Sequence, residues 1–309
     1  MLRQALMGLS RATTVKDLAT RMPVSSAMVA RFVAGEDTAD AVRVARTLRD
    51  RGLAASIDHL GEDVTDPASA DEATTAYLTL LDALWSARLT DTTEVSVKLS
   101  AIGQQLGDRH PELAASNARV ICTAAQVCGT TVTLDMEDHT TTDATLDTLA
   151  ELRRDHPTTG VAIQAQLHRS VDDCARLATP GSRVRLCKGA YAEPDEIAHT
   201  ERHEVDLAFV RCLKVLMQGE GYPMVATHDP RLIRISLDIA RQSGRGPDDF
   251  EFQMLYGVRP EEQQRLADQG HRVRVYVPYG ADWYRYLVRR MAEKPANLGL
   301  FVRSLTSRS

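Results

Sequence analysis

A closed barrel of eight parallel strands, each followed by a helix, is the fold this sequence predicts. Three observations lead there: eight short apolar runs recur along the chain, helix-like stretches separate them, and nearly every run ends in polar or charged residues. Near-continuous Val, Ile and Leu runs belong to strands buried on both faces, and eight of them in roughly 230 residues match an α/β chain closed into a (βα)8 barrel of the TIM type.

The first run, LAASIDHLGE, begins at Leu53, and EVSVKLS, TVTLDMED and VAIQAQ follow from Glu94, Thr131 and Val161. RVRLCKGAY from Arg183, PMVATHD from Pro223, FEFQMLYG from Phe250 and RVRVYVPYG from Arg272 complete the set. Between them, helices read most clearly at Ala68 to Leu89, Pro111 to Val127, Thr142 to Asp155, Pro194 to Met217 and Pro230 to Gln242, with the prolines in first turns where they are tolerated. Ahead of the barrel, SSAMVARFVAGED and TADAVRVARTLRDRG read as helices closed by Gly35 and Gly52. Residues 1–52 are therefore expected to form a helical extension packed on a barrel of residues 53–309, the two making one structural unit. The last helix, ADWYRYLVRRMAEKPAN, follows the eighth strand directly and stops before Pro295.

Composition narrows the function. The 309 residues are 43% apolar and 26% charged, which is ordinary globular composition. A formal charge of −5 with interspersed basic residues gives no field for a polyanion, so nucleic acid is not an expected partner. Cys122, Cys128, Cys174, Cys187 and Cys212 form no CxxC pair and are odd in number, which predicts a reducing, cytoplasmic setting. No apolar run approaches the roughly 18 to 20 residues that span a bilayer. The first 22 residues are Arg-rich with one acid. They suit a transit peptide, a helix on a membrane surface, or a helix packed on the barrel, and the packed helix is the reading adopted. His199 and His203 lie four apart in HTERH, read as helical, but lack the Glu of a zinc protease motif, so no metal is expected.

In this fold chemistry gathers where strands end. Those positions are Glu62, Lys98, Asp135, Gln164, Arg185, Lys188, Thr227, His228, Gln253 and Tyr276; for each, the alternative is a helix cap or a barrel-filling side chain. Lys98 sits in an otherwise apolar run and needs an anion nearby. Asp135 and Glu137 alternate, as do Gln164 and Gln166, so each pair is expected on one side of its strand. One of the two acids pairs with Lys98 or orients a substrate amine; the other is structural. Arg185, Lys188 and Gly189 place two cations and a flexible turn at one strand end, which suits a phosphate-bearing ligand, and Thr227 with His228 adds a hydroxyl and an imidazole. Together they suggest the seat of a dinucleotide, without a GxGxxG or Walker sequence. Arg289 and Arg290 are adjacent, with Glu293 four residues after the first. They form either a bidentate clamp for a small carboxylate or a solvated helix end with an i,i+4 ion pair.

Taken in order, VSVKLS, LDMED, IQAQ, RLCKGAY, ATHD, FEFQMLYG, RVYVPYG and YLVRRMAE resemble the proline dehydrogenase family from about Asp58 to Asn297. The resemblance implies a distorted (βα)8 barrel whose final helix lies over the barrel mouth and the flavin. It implies oxidation of L-proline to 1-pyrroline-5-carboxylate by hydride transfer to FAD, with electrons passed to a quinone, the first step of proline catabolism. Lys98, Arg289 and Arg290 match residues that hold the proline carboxylate; Asp135, Tyr276 and Leu255 match those around the ring, with Ala190 and Glu293 nearby. Arg185 matches an arginine near flavin N5, and Gln164, Lys188, Gly189, Tyr191, Thr227 and His228 match other flavin contacts. Glu62 stands where an acid gates the site by pairing with the first arginine. Tyr276 occupies a place where relatives acting on hydroxyproline carry a smaller residue, which implies preference for proline. Ala192, Met254 and Tyr256 depart from the pattern. The family further implies transient contact with a membrane surface, at the inner face of the cell membrane, and a separate pyrroline-5-carboxylate dehydrogenase as recipient of product. Two other classes stay open: a Schiff-base lyase or aldolase using Lys98 or Lys188, and a non-catalytic flavin-binding sensor.

Overall fold

In the computed structural model, which describes residues 26–61, 64–109, 112–284, 286 and 287, the eight runs pair in parallel and in chain order into a closed barrel. The strands are β1 (Ala54–His59), β2 (Thr93–Val97), β3 (Val132–Leu134), β4 (Gly160–Gln164), β5 (Arg183–Cys187), β6 (Tyr222–Ala226), β7 (Glu251–Leu255) and β8 (Val273–Tyr279). Closure comes from β8 on β1, in register from Ala54↔Arg274 to His59↔Tyr279. Pairing is thinnest at β3, which has three residues and meets β4 only at Thr133↔Gly160 and Leu134↔Val161.

Helices α1 (Ser26–Phe32) and α2 (Thr38–Asp50) precede the barrel, and α3 (Pro67–Ser86), α4 (Leu113–Val127), α5 (Thr142–Leu152), α6 (Ser170–Leu177), α7 (Arg202–Gln218), α8 (Pro230–Gln242) and α9 (Pro260–Asp268) surround it. Local chemistry explains several starts. Asp66 accepts from the Ser69 amide at 2.9 Å ahead of Pro67, and Asp229 accepts from the Arg231 amide at 2.9 Å ahead of Pro230, two capped helices with proline in the first turn. Pro194 does not open a helix. Residues 188–201 instead form a long loop, pinned by a bridge between Leu167 and Ala198, and α7 begins only at Arg202. His199 therefore lies off the helix, its ring edge-on to His168 at 4.5 Å, and the four-residue helical spacing to His203 does not exist. Pro111 lies outside the described residues.

Gly52 closes α2 with φ +74°, as expected. Gly35 does not close α1, which ends three residues earlier. The carbonyl of Gly35 accepts from the Gly280 amide at 3.0 Å, and Ala34 donates to the Pro278 carbonyl at 2.9 Å, so this segment is tied to the end of β8. Phe32, Val33 and Leu60 bury against Tyr286 and Leu287, which sets the direction in which the chain leaves the barrel after β8. On α2, Ala41, Val44, Ala45 and Leu48 join the main core beside Leu53 and Ile57.

Alternation along the strands separates two environments. Ala55, Ile57, Val95, Val97, Val132, Leu134, Val161, Ile163, Val184, Leu186, Phe252, Val273 and Val275 belong to the apolar core shared with the helices. The residues between them meet across the lumen: Arg183 of β5 reaches Glu94 of β2 at 2.6 Å, and Arg185 reaches Ser56 of β1 at 3.0 Å. Among the described residues the lumen holds Asp58, Glu94, Asp135 and Glu251 against Lys98, Arg183, Arg185 and Arg274, four acids to four bases. Buried charges survive only with partners, and here each has at least one. Burial pushes the Glu94 carboxyl up, but Arg183, Arg274 and Arg185 together hold it far below the ordinary carboxylate range. The lower lumen is thus a closed ionic core, and the open end is where the remaining polar groups emerge.

Candidate active site

At the C-terminal end of the strands Lys98 is the hub. It follows β2, where the inward alternation that gives Glu94 and Ser96 continues. Its Nζ lies 2.6 Å from Asp58 Oδ2, 3.3 Å from Asp135 Oδ2 and 3.1 Å from Tyr276 Oη. Tyr276, from β8, donates to Asp135 Oδ2 at 2.6 Å. Beneath them Arg185 donates from Nη1 to Asp135 Oδ1 at 2.5 Å and to Ser96 Oγ at 2.8 Å, and from Nε to Gln253 Oε1 at 2.5 Å. Its guanidinium carbon sits 5.3 Å from the Tyr276 ring centroid. Burial pushes the Tyr276 hydroxyl far above its ordinary pKa, and the Asp135 carboxylate adds to the effect, so Tyr276 is a donor at any working pH.

Lys98, Asp135, Arg185 and Tyr276 are therefore one cluster. Asp58 belongs with them, although it is not among the strand-end candidates. The first run was read as ending at Glu62, whereas β1 ends at His59 and the inward pair is Ser56 and Asp58; two-residue alternation in SIDH carries that signal. Asp135 pairs with Lys98, as one of the two acids was expected to. Glu137 does not share its side of a strand, because β3 stops at Leu134 and the chain turns: Glu137 accepts from the Ser100 hydroxyl at 2.6 Å and the Ser100 amide at 3.1 Å. β4 ends at Gln164, yet Gln164 and Gln166 both reach the loop after β5, Gln164 Oε1 accepting from the Ala190 amide at 3.4 Å. Gln164 donates to the Glu137 carbonyl at 2.6 Å, and Gln166 to the Tyr191 carbonyl at 3.1 Å.

A second group lies over β4, β5 and β6. Lys188 Nζ is 2.5 Å from Asp206 and 3.5 Å from Asp229, two carboxylates that the sequence reading did not select. Thr227 Oγ1 accepts from the Asp229 amide at 3.2 Å. His228 Nε2 accepts from the Leu255 amide at 2.8 Å, which puts the proton of the neutral ring on Nδ1. Gly189 holds φ +112°, and a Cβ there would stand 2.4 Å from Gln166 Cδ, so glycine suits this turn and its approach to the segment after β4. The loop after it is also held at Glu193, whose carboxylate, 2% exposed, takes the His139 ring nitrogen and, at 3.1 Å, the His139 amide. Ala190, Tyr191, Leu255 and Tyr276 remain half-buried around the opening. Glu62, Arg289, Arg290 and Glu293 lie outside the described residues.

Both candidate Schiff-base lysines are gripped by carboxylates. An imine-forming lysine must present an accessible amine, and these two are engaged by carboxylates at 2.6 and 2.5 Å. The cations fit binding of an acid better than nucleophilic attack. Among the described residues no group of three or more His, Cys, Asp and Glu side chains is arranged to hold a metal, and no helix is long and apolar enough to cross a membrane.

Comparison with known proteins agrees with this geometry. A proline dehydrogenase from Deinococcus radiodurans is 37% identical over 98% of this chain and 97% of its own length. Proline dehydrogenase 1 of Bacillus subtilis strain 168 is 36% identical over 89% of each chain. Among solved structures, proline utilization A from Bdellovibrio bacteriovorus, inactivated by N-propargylglycine, superposes with a TM-score of 0.81 at 24% identity, covering 92% of this chain and 34% of that one; this likeness concerns the fold. Residues 41–303 match the family model described as proline dehydrogenase, and the chain belongs to that family.

Proposed function

We propose that this chain catalyses the family's flavin-dependent oxidation of L-proline at the Lys98 cluster, with electrons leaving to a quinone. The observation that carries the proposal is the juxtaposition of Lys98, Asp135 and Tyr276 at the barrel mouth, a cation and two polar groups that complement a small zwitterion. The residues over β4 to β6 fit FAD by their chemistry: a lysine ammonium, a threonine hydroxyl, an imidazole N–H and a glycine turn cleared of any Cβ. Gln164, Lys188, Gly189, Tyr191, Thr227 and His228 are assigned to hold it, with Arg185 on the same side. FAD, when bound, supplies the two-electron acceptor for the hydride from proline C5.

The protein's own part is positioning. Lys98 takes the substrate carboxylate together with Arg289 and Arg290, a charge-assisted set that fixes one end of the ring. Asp135 and Tyr276 face the ring and amine, while Ala190 and Leu255 supply apolar wall. Glu62 is assigned to pair with Arg289 as a gate, and Glu293 to support the arginine pair. Residues 1–52 and the barrel act as one unit. The basic first 22 residues are proposed to touch a membrane surface when reduced enzyme meets its quinone, and a separate pyrroline-5-carboxylate dehydrogenase is the proposed recipient of product.

One experiment decides the reading. Purified protein should be yellow; anaerobic L-proline should bleach its flavin absorbance, and a soluble quinone should restore it with turnover. Flavin that stays oxidised under proline would defeat the assignment.

A further inference from the structure

Asp58 belongs neither to the groups assigned to proline nor to those assigned to the cofactor, yet among the described residues it makes the shortest ion pair of Lys98. Its Oδ2 is 2.6 Å from Lys98 Nζ, against 3.3 Å for Asp135, and its side chain is 0% exposed where that of Asp135 is 12% exposed. Tyr77, from α3, closes the outer side: its hydroxyl donates to the Ser96 carbonyl at 2.8 Å and stands 3.4 Å from Asp58 Oδ1. One ammonium is thus divided between two carboxylates, one sealed inside the wall and one open to the mouth.

We propose that Asp58 is a positioning residue for proline oxidation, holding the Lys98 side chain in place and charged at the end of β2 so that Asp135 stays available to the substrate. The proposal rests on the reading of Lys98 as a carboxylate ligand. A lysine in a buried site keeps its proton only beside an anion, and a substrate carboxylate gains little from a neutral amine. Asp58 is the anion that substrate entry does not disturb. Burial pushes its own carboxyl up, Lys98 opposes that, and the Asp135 charge adds to it, so the two groups depend on each other. Among the described residues, the charged and titratable groups around the pair are Asp135 just after β3, Arg185 from β5, Tyr276 and Tyr279 from β8, Tyr77 from α3 and His59 on β1 itself.

The test uses the flavin-loaded enzyme and Asp58→Asn. The probe is tetrahydrofuran-2-carboxylate, which has the ring and carboxylate of proline with an ether in place of the amine, titrated by flavin absorbance. Asp58→Asn should weaken this ligand about tenfold or more and raise KM for proline, with kcat changed less than about threefold. The alkaline fall of kcat/KM should move down by about one pH unit, because the ammonium has lost its nearer anion. A purely structural role would lower the melting temperature and leave the ligand affinity and the alkaline limb of loaded enzyme as in the wild type, and that result overturns the proposal. Wild-type flavin that proline does not bleach would instead sink the underlying reading. Should Asp58→Asn give no soluble protein, the same change in a Lys98→Met background decides: kcat/KM within about twofold of Lys98→Met supports action through Lys98, and a further tenfold loss refutes it.

Discussion

Tyr276 Oη donates a 2.6 Å hydrogen bond to Asp135 Oδ2, joining the last strand of the barrel to the loop that follows the third across the mouth. The same carboxylate oxygen lies 3.3 Å from the Lys98 ammonium, so the phenol fixes the acid that shares the cation. Tyr276→Phe keeps the ring over Arg185 and removes the hydroxyl that donates to Asp135 and accepts from Lys98 at 3.1 Å. It should cost about 1.5–3 kcal/mol in kcat/KM for proline, since the lost bond ends on a charged group. Steady-state kinetics at fixed quinone measure it; unchanged kcat/KM would mean that Asp135 is held without the phenol.

Tyr276 also bears on substrate choice. Wild-type enzyme should prefer L-proline to hydroxyproline, and Tyr276→Ser should narrow the ratio of their kcat/KM values by about tenfold, the scale on which pocket size discriminates. Comparable kcat/KM for both substrates in the wild type would contradict this.

Glu94 is the keystone of the lower lumen, receiving Arg183 at 2.6 Å and Arg185 at 3.4 Å, with Arg274 3.8 Å away. Glu94→Gln leaves buried guanidinium groups short of one anion and should destabilise the fold by about 3–5 kcal/mol in urea unfolding. The pH dependence has a definite sign. Because the folded carboxyl is depressed, its stabilisation is complete above the ordinary glutamate pKa of about 4.3 and fades as pH falls toward the folded value. Wild-type stability should therefore decline below about pH 5 more steeply than that of Glu94→Gln. Parallel slopes would show that other acids dominate.

Gly189→Ala places a methyl where Gln166 Cδ already stands, in a backbone region unfavourable to L-residues. The loop carrying Ala190 and Tyr191 should shift, and the purified variant should retain less than about half the wild-type flavin per chain while melting within a few degrees of it. Full flavin content would remove this turn from the cofactor seat.

Arg290→Met should raise KM for proline and cost about 2–4 kcal/mol in kcat/KM, because a bound carboxylate loses a charge-assisted partner. Wild-type kinetics in that variant would refute the clamp.

How much was legible in advance depends on the range of the interaction. All eight strands were visible, with starts within one residue, because burial on both faces writes an apolar run into any buried parallel strand. The capped starts at Pro67 and Pro230 follow from side chains within three residues, and those too can be read along the chain. Short α6 and α9 were not singled out, and Pro194 misled, since a first-turn proline marks a helix only where a helix follows.

Sequence by itself thus determined the barrel, its chain order and the runs that bear Lys98, Asp135, Arg185 and Tyr276, although Arg185 and Tyr276 lie within β5 and β8 rather than at their ends. Tertiary structure alone decided who meets whom. Asp58 and Lys98 are forty residues apart and touch only because β1 and β2 pair at Asp58↔Ser96, and Glu137 leaves the site only because β3 stops at Leu134. Alternation says which face of a strand a charge is on, but the partner that makes its burial tolerable is chosen by register and by where each strand ends.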